Sequence, residues 1–366
     1  MEGIKEVWVN LPGKRYPILC GRGLLARAGQ ISLERQWIRS GRKVFIITDT
    51  HVGPLYAGPL AKSMENAGFS PVIHTVEAGE GSKDFDGMKP VFSRMIREGI
   101  TREDKVLALG GGVAGDFAGF IAHIYMRGIG FLQFPTSLLA QVDSSVGGKV
   151  AVNLDEGKNL IGGFCHPDGV ISDMDTLHTL PSRQIADGMA EVIKYALIGD
   201  RDLFARLAGS DSAELMSQMD DIVVRCCEMK RDVVERDEKD TGDRMILNFG
   251  HTFGHIIEKS LTYGFFTHGE AIAVGMYRMA LAGEKLAITR PGTAESIRSI
   301  LIQHGLPWKL TPEQEEKVEQ NFQKTLRIDK KGGQEDMTII MLKSAGHCFR
   351  MKITHKEVEK LWQSGR

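Results

Sequence analysis

The chain has 366 residues, more than one ordinary domain needs, which predicts about two domains. Apolar residues make up 42% and charged residues 25%, as is typical of a folded globular protein. The formal net charge of −1 excludes a general attraction to nucleic acid or to an anionic membrane. An anionic ligand would therefore need a local cluster of cations.

The N-terminal segment and the cysteines indicate a cytoplasmic protein. The first residues include Glu2 and Glu6 and lack the apolar core of a signal peptide. No apolar run approaches the roughly 18 residues that a membrane-spanning helix needs. The five cysteines form no CxxC pair and are odd in number, so we expect reduced thiols without a catalytic role.

The first half alternates short apolar runs with amphipathic stretches. These patterns predict strands at 43–49 and 105–109, and helices at 53–69 and 84–99. Strand and helix in this rhythm predict a mostly parallel sheet with helices on both of its faces.

Helical patterns dominate from about residue 179. Ile185, Met189, Val192 and Ala196 recur at helical spacing, and Pro181 suits the first turn of that helix. Further helices are predicted at 221–235, 248–261 and 269–283, and a strand at 336–342. We therefore predict an α/β domain at 1–178 and a mostly α-helical domain at 179–366.

A glycine loop directly follows the second predicted strand. Residues 110–116 read Gly-Gly-Gly-Val-Ala-Gly-Asp, which matches G-x-G-x-x-G and opens a helix-like stretch. Glycines let the backbone approach a pyrophosphate at a helix N-terminus. Asp49, at the end of the first predicted strand, could bind a ribose hydroxyl. A nucleotide site and a purely structural turn remain the two alternatives.

Three histidines and a glutamate form a candidate metal site. His251 and His255 are four residues apart on one face of a predicted helix, His268 follows, and Glu191 lies on an upstream helix. Neutral imidazoles with one carboxylate are typical of catalytic zinc, which keeps one position for water or substrate. Any single histidine could instead be structural. Their clustering, three of eleven in the chain, favours a metal site.

Several cations lie in or beside motifs and are candidates for phosphate binding. For each of them the alternative is a solvated surface side chain. Lys149 is the best placed, because it follows Gly147 and Gly148, so that backbone and ammonium can share one phosphate. The others are Lys83, Lys158, Lys194, Lys230 and Arg244.

The motifs occur together in one order that resembles the 3-dehydroquinate synthase family from about residue 44 to 342. The block from Pro135 to Gly162 is the most specific. Ser137 stands where a threonine is more usual, and Cys165 with His166 replaces aromatic or polar residues. The motifs are residues 110–116, 125–128, 135–149, 157–162, 191–195, 248–255, 268–270 and 329–331.

The resemblance implies a Rossmann-like NAD-binding domain and a site for each ligand. The metal ligands would be Glu191, His251 and His268, holding Zn²⁺ or Co²⁺. NAD would be held by Asp49, Glu80, Lys83, Gly112, Val113, Ala114, Gly115, Asp116, Thr136, Ser137, Lys149, Lys158, Thr176, Leu177, His178 and Thr179. The substrate pocket would be lined by Asp143, Lys149, Lys158, Asn159, Lys194, Lys230, Arg244, Asn248, His255 and Lys330 or Lys331. Arg127 would reach the substrate of the second subunit in a homodimer.

The resemblance also implies a reaction. The family converts 3-deoxy-D-arabino-heptulosonate 7-phosphate into 3-dehydroquinate and phosphate, a step of the shikimate pathway, by transient oxidation with NAD, β-elimination of phosphate, re-reduction and an intramolecular aldol step. Another sugar phosphate cyclase, of the inosose or valiolone type, is one alternative. A metal-dependent alcohol dehydrogenase and a binding module without activity are two others, which the phosphate-binding cations and the open metal site disfavour.

Overall fold

The structure is a computed structural model that describes residues 3–261, 265–328 and 336–366. Its first 180 residues contain all the strands of the main sheet. In chain order the elements are β1 (Lys5–Leu11), β2 (Lys14–Gly21), α1 (Ala28–Glu34), β3 (Lys43–Asp49), α2 (Gly53–Asn66), β4 (Ser70–Val76), α3 (Met88–Arg97), β5 (Lys105–Gly110), α4 (Gly112–Ile124), β6 (Phe131–Pro135), β7 (Lys149–Leu154), β8 (Gly157–Phe164) and β9 (Gly169–Asp173).

The described part of the remaining chain is mostly helical. Its elements are α5 (Ser182–Gly199), α6 (Arg201–Gly209), α7 (Ser212–Ser217), α8 (Met219–Arg236), α9 (His251–Ser260), α10 (His268–Lys285), α11 (Thr293–Gln303), α12 (Pro312–Ile328), β10 (Asp336–Ser344), β11 (His347–Thr354) and α13 (His355–Ser364). Short 3-10 turns lie at Leu25–Arg27, Glu80–Ser82, Tyr125–Arg127, Met174–Thr179 and Asp243–Asn248, and a π-helical turn lies at Ala140–Ser144.

The main sheet has seven strands in the order β1-β2-β9-β6-β5-β3-β4. Strands β2, β9, β6, β5, β3 and β4 pair in parallel, and β1 joins the edge as the antiparallel partner of β2. The predicted parallel sheet in an α/β half is therefore confirmed. Two separate hairpins, β7–β8 and β10–β11, complete the strands.

Strand β3 shows how both faces of this sheet are covered. Val44 and Ile46 join an apolar cluster with Leu60 of α2, whereas Phe45 and Ile47 join a second cluster that includes helices α3 and α4. A strand buried on both faces reads as a continuous apolar run, because its side chains alternate between the two sides. This explains why 43–49 was recognisable from sequence.

The order of the strands creates a switch point between β3 and β5. From β3 the chain continues through α2 to β4 on one side, and β5 lies on the other side of β3. Connections therefore leave the carboxyl ends of β3 and β5 towards opposite faces. Ligands of open α/β sheets bind in the crevice at such a point, which here lies between Asp49 and Gly110.

The chain divides into two compact units. The first contains residues Met1–Leu180 and Val223–Lys239, and the second contains Pro181–Ile222 and Asp240–Arg366. Most of α8 thus belongs with the sheet, although its neighbours in sequence belong to the second unit. The predicted domain boundary between residues 178 and 179 stays a prediction, because compactness alone does not define independent folding.

Most predicted elements agree with the structure to within a few residues. The helix expected from residue 84 begins at Met88, because the Asp84 carboxylate accepts the Gly87 N–H and holds a turn before it. Strands β4, β6, β9 and β11, the hairpins β1–β2 and β7–β8, and helices α1, α6, α7 and α11 to α13 were not predicted. Among the described helices, none combines the length and the apolar character needed to cross a membrane.

Candidate functional site

The predicted glycine loop forms the tight turn between β5 and α4. Gly110 has a φ of +156°, and a Cβ atom there would lie 2.6 Å from Cβ of Ala114. A Cβ on Gly112 would lie 3.0 Å from Oγ of Ser144. The positive φ and the close contact with Ala114 favour glycine at position 110, and Ser144 would have to move to admit a side chain at position 112. Helix α4 begins at Gly112. The free N–H groups of its first turn therefore face the crevice at the switch point, as a phosphate site needs.

Asp49 lies at the other side of the switch point. One of its carboxylate oxygens accepts hydrogen bonds from the backbone N–H groups of His51 and Val52, at 2.8 and 2.9 Å. These bonds fix the start of α2. The second oxygen lies 3.5 Å from where a Cβ on Gly110 would be, on the side of the glycine loop. The structure thus brings Asp49 and the glycine loop, which were recognised separately in the sequence, to one edge of the sheet.

The next two strands end in two further loops that carry predicted NAD residues. Thr136 and Ser137 follow β6, and the turn Met174–Thr179 follows β9. The side chains of Thr176 and Leu177 are buried within this turn. The Tyr56 hydroxyl lies 2.6 Å from the Thr179 hydroxyl and ties the turn to α2. These loops share the carboxyl edge of the sheet with Gly110.

A buried lysine organises a third group of predicted NAD residues. The Lys83 ammonium donates to the Asp116 carboxylate at 2.6 Å and lies 3.8 Å from Glu80, whose other carboxylate oxygen is 3.9 Å from Lys158. Lys83 is only 3% exposed. Burial raises the pKa of Asp116 above its usual value, although Lys83 opposes that shift. Asn153, which was not predicted, also donates to Glu80.

Asp143 and Lys230 meet although they are far apart in sequence. The Lys230 ammonium lies 2.9 Å from the Asp143 carboxylate and donates to its backbone carbonyl at 2.7 Å. Asp143 belongs to the π-helical turn and Lys230 to α8, within the first unit. Predicted substrate residues thus lie beside the NAD loops. Lys149 and Asn159 are exposed on the nearby hairpin β7–β8.

Arg127 lies in an unusual stretch of backbone. Met126 and Arg127 have consecutive positive φ angles of 49° and 69°. Left-handed conformations are unfavourable for residues with a Cβ atom, and they tend to persist at functional sites. The side chain of Arg127 is exposed. This observation singles out the turn without assigning its role.

Glycine contacts in the second unit bring helices α9 and α10 together. A Cβ on Gly275 of α10 would lie 2.1 Å from the Gly250 carbonyl oxygen, and one on Gly254 would lie 2.9 Å from Ile272. Gly269, near the start of α10, has no room for a side chain beside Asp187 of α5. Three helices therefore converge with almost no spacing at the N-terminal ends of α9 and α10.

The side chains predicted to bind metal meet at this convergence. His251 and His268 are the first residues of α9 and α10, and their Nε2 atoms lie 3.4 and 3.2 Å from Oε1 of Glu191. All three offer ligand atoms within 4.8 Å of one another. The Phe249 carbonyl lies 3.2 Å from Nδ1 of His251, so it can orient the ring.

Charge around Glu191 favours the carboxylate form. Burial alone would raise the pKa of Glu191, but the ion pair with Lys194 and the contacts with the two histidines hold it well below the usual value. Desolvation likewise opposes charge on His268, yet Glu191 and Glu258 raise its pKa to about 10. Metal binding needs a neutral imidazole, so a bound cation would compete with a proton at His268.

The donor set fits a divalent metal. Oε1 of the buried Glu191 faces both imidazoles, and Oε2 forms an ion pair with Lys194. A buried carboxylate with two imidazoles is the ligand set of a catalytic zinc site, with a position left for substrate. The assignment of these ligands stays a prediction.

His255 lies on the same helix but in a different group. Its ring is 5.5 Å from that of His251, edge to face, and it could share an ion with Glu258 and His268. Desolvation, followed by His251, lowers the pKa of His255, although the residue is exposed overall. The pair His251 and His255, suggested by spacing alone, does not form a group of its own with a third ligand within the described residues.

The remaining predictions have separate outcomes. Arg244 is buried in the 3-10 turn just before α9, and Asn248 is exposed at its end. Lys330 and Lys331 lie outside the described residues. Glu258, 3.6 Å from Nδ1 of His268, was missed. Its position three residues after His255 on the helix could have revealed it.

Comparisons with known proteins identify the family of the chain. A family model described as 3-dehydroquinate synthase N-terminal matches residues 73–187, and one described as 3-dehydroquinate synthase C-terminal matches residues 188–332. The 3-dehydroquinate synthase of Clostridium beijerinckii is 41% identical over 350 residues, which cover 95% of this chain and 98% of the relative.

Two solved structures share the fold over nearly the whole chain. A 2-deoxy-scyllo-inosose synthase complexed with carbaglucose-6-phosphate, NAD⁺ and Co²⁺ is 25% identical, with a TM-score of 0.86 over 99% of this chain and 100% of that one. The 2-epi-5-epi-valiolone synthase of Streptomyces hygroscopicus subsp. jinggangensis 5008, with NAD⁺ and Zn²⁺ bound, is 23% identical, with a TM-score of 0.82 over 97% of this chain and 98% of that one. On the family models and the near full-length identity, the chain belongs to the 3-dehydroquinate synthase family.

Proposed function

We propose that this protein is a cytoplasmic 3-dehydroquinate synthase that acts on 3-deoxy-D-arabino-heptulosonate 7-phosphate and releases phosphate. The observation that carries the proposal is the identity of 41% with a curated synthase over 95% of the chain, against 25% with an inosose synthase of the same fold. A cyclase of the inosose or valiolone type is the less similar alternative.

The predicted metal ligands belong to the second unit, and the predicted NAD residues belong to the first. Glu191, His251 and His268 would hold the metal, and the glycine loop with Asp49 would hold NAD. A bound metal supplies a Lewis acid that lowers the pKa of a substrate hydroxyl, and NAD⁺ accepts and later returns a hydride. The protein itself would hold the reacting carbon against the nicotinamide. Such orientation alone can greatly accelerate a reaction.

Cations of the chain would stabilise the phosphate as it leaves. Lys194 is buried beside Glu191, and Lys230 is held by Asp143, so both ammonium groups are oriented in advance. Preorganised cations stabilise developing negative charge more than mobile surface cations do, because little reorganisation is needed during the reaction. Lys149, which follows two glycines, is a further candidate for an anionic group of the substrate.

We predict that the reaction is redox-neutral. Hydride leaves and returns within one turnover, so a catalytic amount of NAD⁺ should support many turnovers. The test incubates the protein with the heptulosonate 7-phosphate and follows phosphate release, dehydroquinate formation and absorbance of NADH. Phosphate and dehydroquinate should form in equal amounts. Stoichiometric accumulation of NADH would instead identify a dehydrogenase, and phosphate release only from a hexose phosphate would identify another cyclase.

We predict that Arg127→Ala lowers turnover much more than stability, because the exposed side chain would serve the substrate of a second subunit. An inactive partner for mixing is His255→Ala. In a mixed dimer, Arg127 from the His255→Ala subunit would complete the site of the Arg127→Ala subunit. Some activity should therefore return after subunit exchange.

The matched control for this experiment is Arg97→Ala, an exposed arginine on α3, which should change neither turnover nor complementation. Mixed dimers that are verified by differential tags and stay inactive would argue against a shared site. A monomer in sedimentation analysis would rule it out directly.

A further inference from the structure

Gln141 is a buried polar side chain to which neither the motifs nor the proposed chemistry assigns a role. It is 0% exposed and lies in the π-helical turn Ala140–Ser144, two residues before Asp143. Local π-helical turns are frequent at functional sites. The contacts of Gln141 show what this turn is attached to.

One amide group joins the ends of two neighbouring strands. The side-chain Nε2 of Gln141 lies 3.1 Å from the carbonyl oxygens of both Pro135 and Asp173, and 3.2 Å from the hydroxyl of Thr176. Pro135 is the last residue of β6, and Asp173 is the last residue of β9. The loops that follow these strands carry the predicted NAD residues Thr136, Ser137 and Thr176–Thr179.

The main chain of Gln141 adds a third attachment. Its N–H donates to the Ser137 carbonyl at 2.9 Å, and its carbonyl accepts from the Cys227 thiol at 3.3 Å. Cys227 lies on α8, one turn before Lys230, which holds Asp143. Gln141 is thus linked to both NAD loops and to the helix that orients a predicted substrate residue, all within the first unit.

Burying an amide costs free energy of folding unless hydrogen bonds within the protein compensate for those lost to water. Oε1 of Gln141 is buried and accepts no hydrogen bond from any of the described residues. An unpartnered buried oxygen disfavours glutamine over an apolar residue of equal volume. The amide nitrogen is therefore the part that the fold uses, and its partners are the carbonyls that end β6 and β9 and the hydroxyl of Thr176.

We propose that Gln141 is a positioning residue of the NAD site, which holds the loops after β6 and β9 in the geometry that binds the dinucleotide without touching it. The inference rests on the proposed function, because it assigns these loops to NAD. It predicts that loss of the amide weakens NAD binding selectively, while the metal ligands of the second unit are unaffected.

The experiment compares full-length wild type with Gln141→Met, which keeps the volume and removes both donors. We expect the Kd of NAD⁺, measured by calorimetric titration, to rise about tenfold, as the loss of one or two net hydrogen bonds would give. Metal content should stay at the wild-type level. The KM of the sugar phosphate should change less than the Kd of NAD⁺.

Ser63→Ala is the control for a merely structural effect. The buried Ser63 hydroxyl donates to the Ala26 carbonyl at 2.9 Å and accepts the Gly29 N–H at 3.0 Å, in the same unit but away from both loops. It should lower thermal stability and leave the Kd of NAD⁺ unchanged. An equal Kd in Gln141→Met and Ser63→Ala would overturn the inference.

Two further outcomes are distinguishable. If Gln141→Met does not fold, Gln141→Asn, which keeps an amide but is one methylene too short to reach all three acceptors, should still raise the Kd of NAD⁺ by about twofold to fivefold. An unchanged Kd in that variant would overturn the inference. A wild-type protein that does not bind NAD⁺ would overturn the proposed function itself.

Discussion

Alanine at His251 is expected to empty the metal site, whereas alanine at His255 should leave a full complement of metal and still abolish turnover. His251 Nε2 lies 3.4 Å from Glu191, while His255 belongs to a group that lacks this buried carboxylate. Loss of a catalytic metal removes several kcal/mol of transition-state stabilisation, so turnover should fall about 1000-fold or more in His251→Ala.

The two variants are the decisive comparison, because His268 belongs to both candidate groups. His268→Ala should also lose the metal, but this result alone would not separate the groups. Metal content after dialysis and gel filtration is the measurement. A full metal complement in His251→Ala together with a metal-free His255→Ala would transfer the ion to His255, Glu258 and His268. Glu191→Gln and Glu258→Gln repeat the comparison with carboxylates.

Gly275→Ala should cause the second-largest change, a loss of stability and of metal affinity, although Gly275 is not one of the predicted metal ligands. The added Cβ would lie 2.1 Å from the Gly250 carbonyl and 2.9 Å from the Gly254 nitrogen, so α9 and α10 must separate. Overpacking of this kind lowers the free energy of unfolding by about 3 kcal/mol. Separation also moves His251 away from His268, so metal affinity should fall at least about tenfold.

Gly209→Ala is the matched control for this prediction. Gly209 ends α6 and has nothing within 4 Å of its Cβ position, so the same methyl group meets open space. Its stability should equal or slightly exceed that of wild type, because alanine favours a helix. Chemical unfolding and chelator competition measure both quantities. A Gly275→Ala protein with wild-type stability and metal affinity would show that the helices tolerate separation.

The sequence predicted the elements whose pattern is local. Strand β3 is a continuous apolar run that ends on Asp49, and its predicted bounds agree with the structure. Strand β5 was recognisable for the same reason, because the glycine loop marks its end. Both are buried on two faces, which leaves an unambiguous pattern. The histidine spacing likewise placed His251 and His255 on one helix.

Contacts between distant residues were beyond local pattern. Asp143 and Lys230 are 87 residues apart, and the local sequence around either residue does not indicate a contact with the other. Lys83 was predicted to bind NAD directly, and only the structure shows that it donates to Asp116. Gln141 lies inside the most specific motif block, yet its three side-chain partners are defined by how the strands are ordered, which the alternation of elements leaves open.

The discontinuity of the first unit has a consequence for chimeras between relatives. Because Val223–Lys239 returns to that unit, the chain passes from one unit to the other after Leu180, Ile222 and Lys239. A single crossover near residue 180 would combine Asp143 of one parent with Lys230 of the other. Recombination that respects the units needs three junctions, and one of them falls inside α8. Gene fragments that end at codon 180 would likewise encode an incomplete unit, without the helix that carries Lys230.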